Sequence, residues 1–290
     1  MGFKIAVFGI GLIIAVVAGA LAFGALRWRG LIRSLVTQLD SASVSPRTSS
    51  YSQSELEGLP DPVQRYFRAV LREGQPIVVH ARLTWKGEFL MREGENGWRP
   101  FAATQYYVTC RPGFLWDARI QMAPGLPVNV YDAYIAGAGM LQGQVLALVR
   151  VVHMEATPEM SEGELLRYLA EAVWYPTALL PSQGVSWERI DGSSARATLT
   201  DGDTTVSLVF HFNADGEITS NFADSRPREV NGELHPTPWA GNYADYAERD
   251  GMRIPMRGEV AWHLENQRLP YWRGRVLDAT YEYAQPVRSQ

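Results

Sequence analysis

Residues 161–181 read SEGELLRYLAEAVWYPTALLP and lie in the middle of a region that is otherwise patterned as β-strands. Ser161 and, three residues later, Glu164 have the form of a capping box, in which two side chains satisfy free backbone N–H groups at a helix start. The apolar residues that follow recur at helical spacing, namely Leu165, Leu166, Leu169, Ala172 and Val173. Pro176 ends the helix, because its ring clashes with the preceding turn and it has no N–H to donate. We therefore predict a helix over residues 162–175, enclosed by a sheet.

The sequence on both sides of this helix alternates between apolar and polar residues with a period of two, which is typical of half-buried strands. Asp-Gly pairs at 191–192, 201–202 and 215–216 mark tight hairpin turns, because glycine readily adopts the positive φ that such turns need. Residues 224–250 are polar and contain prolines, so they are predicted to form a long loop. The strands are predicted at residues 77–92, 102–110, 114–122, 128–135, 145–152, 185–190, 195–200, 204–212, 217–223, 253–264 and 275–283.

About ten strands in sequential hairpins, combined with few helices, indicate the α+β fold class. A second helix is predicted over residues 59–71, where apolar residues follow a helical period and Pro62 lies in the first turn. An antiparallel sheet has to bury one of its faces. We therefore expect a strongly curved sheet, a half-barrel, that is packed on one or two helices. No repeat or linker interrupts residues 55–290, which are predicted to be a single domain.

The N-terminal residues 5–26 contain no charged side chain and are long enough to cross a bilayer as a helix. A cleaved signal peptide is the alternative, with small-residue cleavage sites at 18–20 or 20–22. Because the apolar run continues past these sites, we favour a retained transmembrane anchor and its basic flank over residues 1–35. A polar linker over residues 36–54, rich in serine and threonine, is predicted to follow it.

Positive charge is concentrated at the N-terminus. The first 35 residues contain Lys4, Arg27, Arg29 and Arg33 and no acidic residue. The formal net charge of the whole chain is −4, so the remainder carries −8, which argues against nucleic-acid binding because that requires clustered lysine and arginine. More positive charges follow the span than precede it, by about one charge, and this difference favours a cytoplasmic location of the domain. Such a margin leaves the orientation of a single-pass cell-membrane protein open.

No sequence motif of a hydrolase, nucleotide triphosphatase or dinucleotide-binding protein is present. Cys110 is the only cysteine and the five histidines are scattered, so neither a metal site nor a cofactor is predicted. Glu164, Arg167 and Glu171 fall on one stripe of the predicted helix. If that stripe is enclosed it forms a polar patch with shifted pKa values, but we expect a solvent-exposed ladder of ion pairs. For an enzyme, the candidate acid–base residues are Glu164, Glu171 and Asp117.

Aromatic residues are abundant, with nine tryptophans and thirteen tyrosines. Tryptophan has a large apolar surface and one N–H donor, which suits core packing, lipid contact and sugar stacking alike. Core packing is the commonest of these roles. A half-barrel nevertheless tends to leave an apolar concavity, and hydrophobic ligands bind in concavities of that kind. The candidate ligand-binding residues are Trp85, Trp116, Arg167, Trp174 and Trp262.

Four strings of sequence are distinctive, namely PVQRYFR (62–68), RPGFLWDARI (111–120), GELLRYLAEAVWYPTALLP (163–181) and GMRIPMRGEVAWHL (251–264). They resemble a family of uncharacterised bacterial proteins in which a membrane segment precedes one domain of unknown function. The likeness covers residues 55–285 and implies no known activity, so it assigns no catalytic residue. At the level of fold alone, the expected sheet is similar to the lipoprotein carriers that shield acyl chains.

We therefore hypothesise a membrane-tethered, non-catalytic domain that binds a hydrophobic or lipid-like ligand in the bacterial envelope. Its expected partners are the membrane, through residues 5–26, and a lipid or other hydrophobic ligand, with no nucleic acid and no protein partner indicated. Two alternatives stay open. One is a hydrolase that acts on a lipid or carbohydrate through carboxylates, and the other is a structural envelope protein whose surface makes the contacts.

Overall fold

In the computed structural model, which describes residues 2–92, 97–230, 232–265 and 267–285, one antiparallel sheet of thirteen strands forms a half-barrel. The strands are β1 (Val78–Leu90), β2 (Trp98–Val108), β3 (Gly113–Ala123), β4 (Leu126–Ile135), β5 (Ala138–Val145), β6 (Val149–Met154), β7 (Ser186–Arg189), β8 (Ser194–Asp201), β9 (Thr204–Phe212), β10 (Ile218–Val230), β11 (Glu233–Arg249), β12 (Met252–Leu264) and β13 (Gln267–Tyr283). The helices are α1 (Gly2–Ala42), α2 (Asp61–Val70) and α3 (Pro158–Glu171). The predicted fold class is confirmed, although the strands number thirteen instead of about ten.

The strand order explains how α3 becomes enclosed. β1 and β13 pair in the centre of the sheet, and successive hairpins lead outward from them to the edge strands β6 and β7. Between these edges the chain passes through α3 and three short 3-10 turns, Ala172–Trp174, Pro176–Leu179 and Pro181–Gln183. α3 packs against β3, β4 and β5 on one half of the sheet and against β9 and β10 on the other. It therefore crosses the concave face, where most of the hydrophobic core lies.

The start of α3 differs from the prediction. The helix begins at Pro158, with Thr157 as the N-cap, whose Oγ1 accepts a hydrogen bond from the backbone N–H of Met160 at 3.1 Å. Proline is favoured at the first helical position because a missing N–H costs nothing there. Ser161 lies inside the helix instead, and its Oγ accepts from the backbone N–H of Gly139 in β5 at 3.1 Å. The capping-box prediction was therefore wrong, and Ser161 links α3 to the sheet.

Removal of the observed cap gives a modest and testable effect. Thr157→Ala is expected to lower the free energy of unfolding by about 1 kcal/mol, because the N–H of Met160 loses its acceptor. Urea unfolding followed by circular dichroism measures this loss. Glu162→Ala, at an exposed position of the same helix, is the control and should stay within about 0.5 kcal/mol of the unmodified protein. Equal losses in the two variants would contradict the capping role of Thr157.

Residues 224–230 and 233–249 form strand, not the predicted loop. They belong to β10 and β11, which pair with each other in register so that Pro227 lies opposite Pro236. Alternation failed as a signal here because polar side chains of this segment are buried, and Arg226 and Thr237 are only 7% and 8% exposed. Buried polar residues interrupt the apolar period by which a half-buried strand is recognised.

Helix α1 has two parts with different surroundings. It is long and apolar enough to cross a membrane, a property that signal sequences share, and its residues 10–23 are exposed. In its second part, one helical stripe packs on the convex face of β2, β3 and β4, and its buried residues are Trp28, Ile32, Leu35 and Leu39. The helix continues to Ala42, so the first residues of the predicted linker 36–54 are helical and docked on the sheet. That stripe was missed because it crosses the boundary between the apolar and polar segments.

Candidate ligand-binding site

A cavity of about 670 Å³ lies between the concave face of the sheet and the C-terminal half of α3, and it is partly open to solvent. Its walls come from β1 and β3–β6 on one side and from β10–β13 on the other. Most of the lining is apolar, and its aliphatic residues include Ile120, Val128, Val130, Leu141, Val145 and Val152. A mostly apolar concavity with a few charged groups is the usual form of a small-molecule site.

The predicted ligand-binding residues converge on this cavity, with one exception. Trp116 from β3, Arg167 from α3, Trp174 from the turn after α3 and Trp262 from β12 all line it. Trp85 does not face the cavity. Its ring packs edge-on behind that of Trp174, with 4.8 Å between the ring centroids. Trp85 therefore supports the wall of the cavity from behind.

Arg167 is the centre of a buried charge cluster at the floor of the cavity. Its Nη1 donates to Asp132 of β4, and its Nε donates to Oε1 of Glu171 at 2.9 Å. The other carboxylate oxygen of Glu171 accepts from Nε2 of Gln105 at 2.7 Å and from the hydroxyl of Tyr107 at 3.0 Å. Both oxygens of Glu171 are therefore occupied, and these contacts tie α3 to two strands of the sheet, β2 and β4.

Arg226 joins the cluster from the opposite half of the sheet. It donates through Nη2 to Oε1 of Glu164 at 3.0 Å, through Nε to the carbonyl of Gly163 at 3.0 Å and through Nη1 to the hydroxyl of Tyr271 at 3.1 Å. The guanidinium carbon lies 5.0 Å from a ring centroid of Trp239, within the range of a cation–π contact. The side chains of Arg226 and Glu164 are 9% and 6% exposed, so this ion pair is internal.

The cluster joins three carboxyl groups to two guanidinium groups, from Asp132, Glu164, Glu171, Arg167 and Arg226. Burial, helped by the neighbouring carboxylate of Asp132 and opposed by Arg226, raises the pKa of Glu164 to about 8. Glu164 is therefore mostly protonated at neutral pH, and the remaining charges of the cluster balance. Its Oε2 has no hydrogen-bond partner within the described chain.

The three predicted acid–base residues do not come together. Glu164 and Glu171 share the buried cluster, so the expectation of a solvent-exposed ladder was wrong, because the sheet encloses α3. Asp117 lies on the convex face of β3, where its Oδ1 accepts from Nε1 of Trp28 in α1 at 3.0 Å. Burial raises the pKa of Asp117 and the hydrogen bond from Trp28 opposes that shift. Asp117 therefore fixes α1 to the sheet and has no access to the cavity.

Sequence reasoning missed several residues of the site, among them Asp132, Arg226, Trp239 and Tyr271. Asp132 carried a signal, because it is the one charged residue in the apolar stretch 131–135 and lies directly opposite Trp116 in the register of β3 and β4. Arg226 carried none, since it fell in the segment that was predicted as a loop.

Neither a metal-binding group of side chains nor a thiol with a lowered pKa is found among the described residues. No group of three or more histidine, cysteine, aspartate or glutamate side chains in the described parts of the chain is placed to hold a metal ion. The thiol of Cys110 is half-buried, and burial raises its pKa. A raised pKa disfavours the thiolate, which is the nucleophilic form.

Comparisons with known proteins identify a family. A LolA superfamily protein from Nitrosomonas europaea is 8% identical, with 76% of this chain and 92% of that chain covered and a TM-score of 0.40. A beta-barrel-like protein of the DUF1849 domain of unknown function from Brucella abortus is 10% identical, with 71% and 99% covered and a TM-score of 0.22. No protein of curated function matches the sequence. A family model matches residues 49–274, most of the sequence, and the chain therefore belongs to the family of unknown function DUF6544.

Proposed function

We propose that the protein is a membrane-tethered, non-catalytic domain that binds a hydrophobic or lipid-like ligand in the cavity between α3 and the sheet. The observation that carries this proposal is the cavity itself, about 670 Å³ of mostly apolar space. A core that only stabilises a fold is packed with few voids larger than a water molecule. Ligand sites, by contrast, enclose about 300–1,000 Å³. Space of this size, lined by aliphatic and tryptophan side chains, suits an acyl chain or another apolar molecule.

Arg167 is the group that we expect to meet a polar part of the ligand. Its Nε and Nη1 hold Glu171 and Asp132, whereas its Nη2 has no hydrogen-bond partner in the described chain and is not one of the fully buried atoms. This N–H group is therefore a donor available from the cavity. Because the carboxylates of Asp132 and Glu171 already pair with this guanidinium, an uncharged acceptor such as an ester carbonyl fits here better than another anion.

The carboxylates of the cluster support binding more than hydrolysis. Glu171 lines the cavity, but both of its oxygens are occupied. Oδ1 of Asp132 and Oε2 of Glu164 have no hydrogen-bond partner, but both atoms are shielded from solvent. A general acid or base has to reach the proton that it transfers. Within the described chain, no carboxyl group of this cluster combines access to the cavity with a free oxygen.

Helix α1 supports the membrane tether. Its exposed residues 10–23 are followed directly by the stripe that packs on the sheet, in which Trp28 and Leu39 are 5% and 1% exposed. The domain would therefore be held against the bilayer by a continuous helix. A flexible connection along the whole of the polar linker predicted over residues 36–54 would have allowed the domain to move away from the bilayer.

Native mass spectrometry of the full chain, extracted gently from its source membrane in detergent, tests the proposal. A discrete added mass that is lost on organic extraction is the expected result. The full chain is required because removal of α1 would expose the convex-face residues that it covers. A bare polypeptide mass, found again after incubation with membrane lipid, would refute ligand binding.

Filling the cavity from Gly143 of β5 is expected to abolish binding. A Cβ added at Gly143 would lie 3.5 Å from Cβ of Val152 and 3.7 Å from Cγ2 of Val130, so the backbone accepts a side chain there. All three residues line the cavity, and a phenylalanine ring at Gly143 would occupy its space. Gly143→Phe should lose the ligand mass while it keeps its circular dichroism spectrum. Thr280→Phe, at an exposed site on β13, is the control that should retain the ligand. Retention of the ligand by Gly143→Phe would count against this cavity as the site.

A further inference from the structure

The edge strand β6, the first residue of β4 and the residue that follows β1 expose apolar side chains. Val149, Val151 and Val152 of β6 are 61%, 53% and 43% exposed, and Leu126 and Met91 are 40% and 38% exposed. We call these five residues the apolar rim. Sheet edges are normally short, charged or covered, because an exposed apolar edge invites association. Clustered apolar side chains on a surface usually mark a contact site.

The apolar rim surrounds the mouth of the cavity. Met91, Leu126, Val151 and Val152 belong to the rim and also line the cavity. A side chain that is exposed to solvent and also faces the cavity lies where the cavity opens. A molecule that enters the cavity at this place therefore passes between apolar side chains.

Helix α1 leaves the domain beside the apolar rim. Gly24 is buried against the turn between β5 and β6, where an added Cβ would lie 2.7 Å from Cδ2 of Leu148 and 3.1 Å from the carbonyl oxygen of Ala147. The helical residues 2–23 that precede Gly24 extend for about 33 Å at the rise of an α-helix. The hydrocarbon core of a bilayer is about 30 Å thick. If residues 2–23 span a bilayer, the turn between β5 and β6 lies at its surface.

The charges around the rim complement an anionic lipid surface. Arg27 and Arg29 follow the exposed part of α1, Arg150 lies among the valines of β6, and all three side chains are exposed. β6 itself contains no acidic residue. Basic residues held within a Debye length of a membrane are attracted to anionic phospholipid headgroups. Aliphatic side chains beside basic ones are the composition of surfaces that insert into the membrane interface.

We propose that the apolar rim is a membrane-contact surface that rests in the interface of the bilayer crossed by α1, so that the cavity opens directly onto lipid. The proposal builds on the proposed function, since it identifies the bilayer as the source of the ligand. An apolar molecule then moves between the bilayer and the cavity without passing through water. The occupant of the rim is an anionic phospholipid bilayer, not a soluble protein.

A fluorescent label on the rim tests this contact. The full chain with Val151→Cys in a Cys110→Ser background carries an environment-sensitive fluorophore and is reconstituted in phosphatidylcholine–phosphatidylglycerol vesicles that contain acyl-chain-brominated lipid. Asp203→Cys is the matched control in the turn between β8 and β9. Leu126 of the apolar rim is the first residue of β4, whereas this turn lies near the last residues of β4. The hydroxyl of Tyr134, the second-last residue of β4, donates to Asp201 at the start of the turn at 2.9 Å. Brominated lipid should quench the label at position 151 several-fold more strongly than the label at position 203.

Three results would overturn the membrane contact. They are equally weak quenching at both sites, equally strong quenching at both sites, and a blue-shifted label at position 151 that brominated lipid does not quench. The last result would mean that protein, not lipid, covers the rim. Native mass spectrometry of the same samples separates this inference from the proposed function. Bound ligand without quenching at position 151 removes only the membrane contact, and quenching without bound ligand removes only the ligand.

Discussion

Replacing Arg167 with leucine is expected to destabilise the folded protein by about 3–5 kcal/mol, the range typical of removing one partner from a buried ion pair. The carboxylates of Asp132 and Glu171 would lose the guanidinium that they share. The side chains of Arg167, Asp132 and Glu171 are 15%, 10% and 15% exposed, so water has little access to replace the missing charge. Leucine keeps the apolar stem of the side chain, and the loss therefore reports mainly on the ion pairs.

Urea unfolding followed by tryptophan fluorescence measures this effect. The matched control is Arg72→Leu, because Arg72 pairs with Glu248 at 2.8 Å while their side chains are 67% and 63% exposed. Exposed pairs of this kind contribute about 0–1 kcal/mol. Arg167→Lys should also destabilise the protein, since a single ammonium group cannot reproduce the forked contact with two carboxylates. Similar losses for Arg167→Leu and Arg72→Leu would show that the buried cluster does not stabilise the fold.

Replacing Glu164 with glutamine is expected to remove much of the pH dependence of stability between about pH 5 and pH 8. In the folded protein, burial raises the pKa of Glu164 from 4.5 to about 8. Between these values the folded state holds a proton that the unfolded state releases. The stability contributed by this group is complete below the unfolded pKa and is lost as the pH rises through the folded pKa. The free energy of unfolding then falls with a slope that approaches about 1.4 kcal/mol per pH unit.

Denaturation of both proteins across this pH range measures the difference. The glutamine variant retains a carbonyl oxygen that can accept from Nη2 of Arg226, as Oε1 of Glu164 does at 3.0 Å. Its stability should therefore increase relative to that of the unmodified protein as the pH rises towards 8. Glu162→Gln, at an exposed position of the same helix, is the control and should follow the unmodified protein. Parallel pH profiles for Glu164→Gln and the unmodified protein would exclude a buried, protonated Glu164.

The hairpins could be predicted from the sequence because each one forms between residues that are close in the chain. The Asp-Gly turns at 201–202 and 215–216 connect β8 to β9 and β9 to β10, and Gly202 and Gly216 have the expected positive φ of 58° and 82°. The pair β10 and β11 escaped prediction because the inward residues of β10 include arginine. An inward arginine is acceptable only when a distant carboxylate reaches it, and no local pattern contains that information.

The same distinction separates the two parts of the candidate site. The walls could be predicted from Trp116, Trp174 and Trp262, because a large aromatic side chain on a curved sheet has few places to lie other than the concave face or the core. The charge cluster at the floor of the cavity could not be predicted from the sequence. Asp132 binds Arg167 across 35 residues of sequence, and Arg226 binds Glu164 across 62, and only the folded sheet brings these pairs together.

The central pairing of β1 with β13 also bears on how the chain is made. β1 begins at Val78 and β13 at Gln267, so at ribosomal rates β1 waits on the order of 10 s for its partner to be synthesised. Contacts so distant in sequence form slowly, and until they form the inner edge of β1 stays open to other chains. A nascent or truncated chain without β13 would consist of two half-sheets with free inner edges. We therefore expect aggregation, more than the loss of one strand, to be the main consequence of truncating the chain before β13.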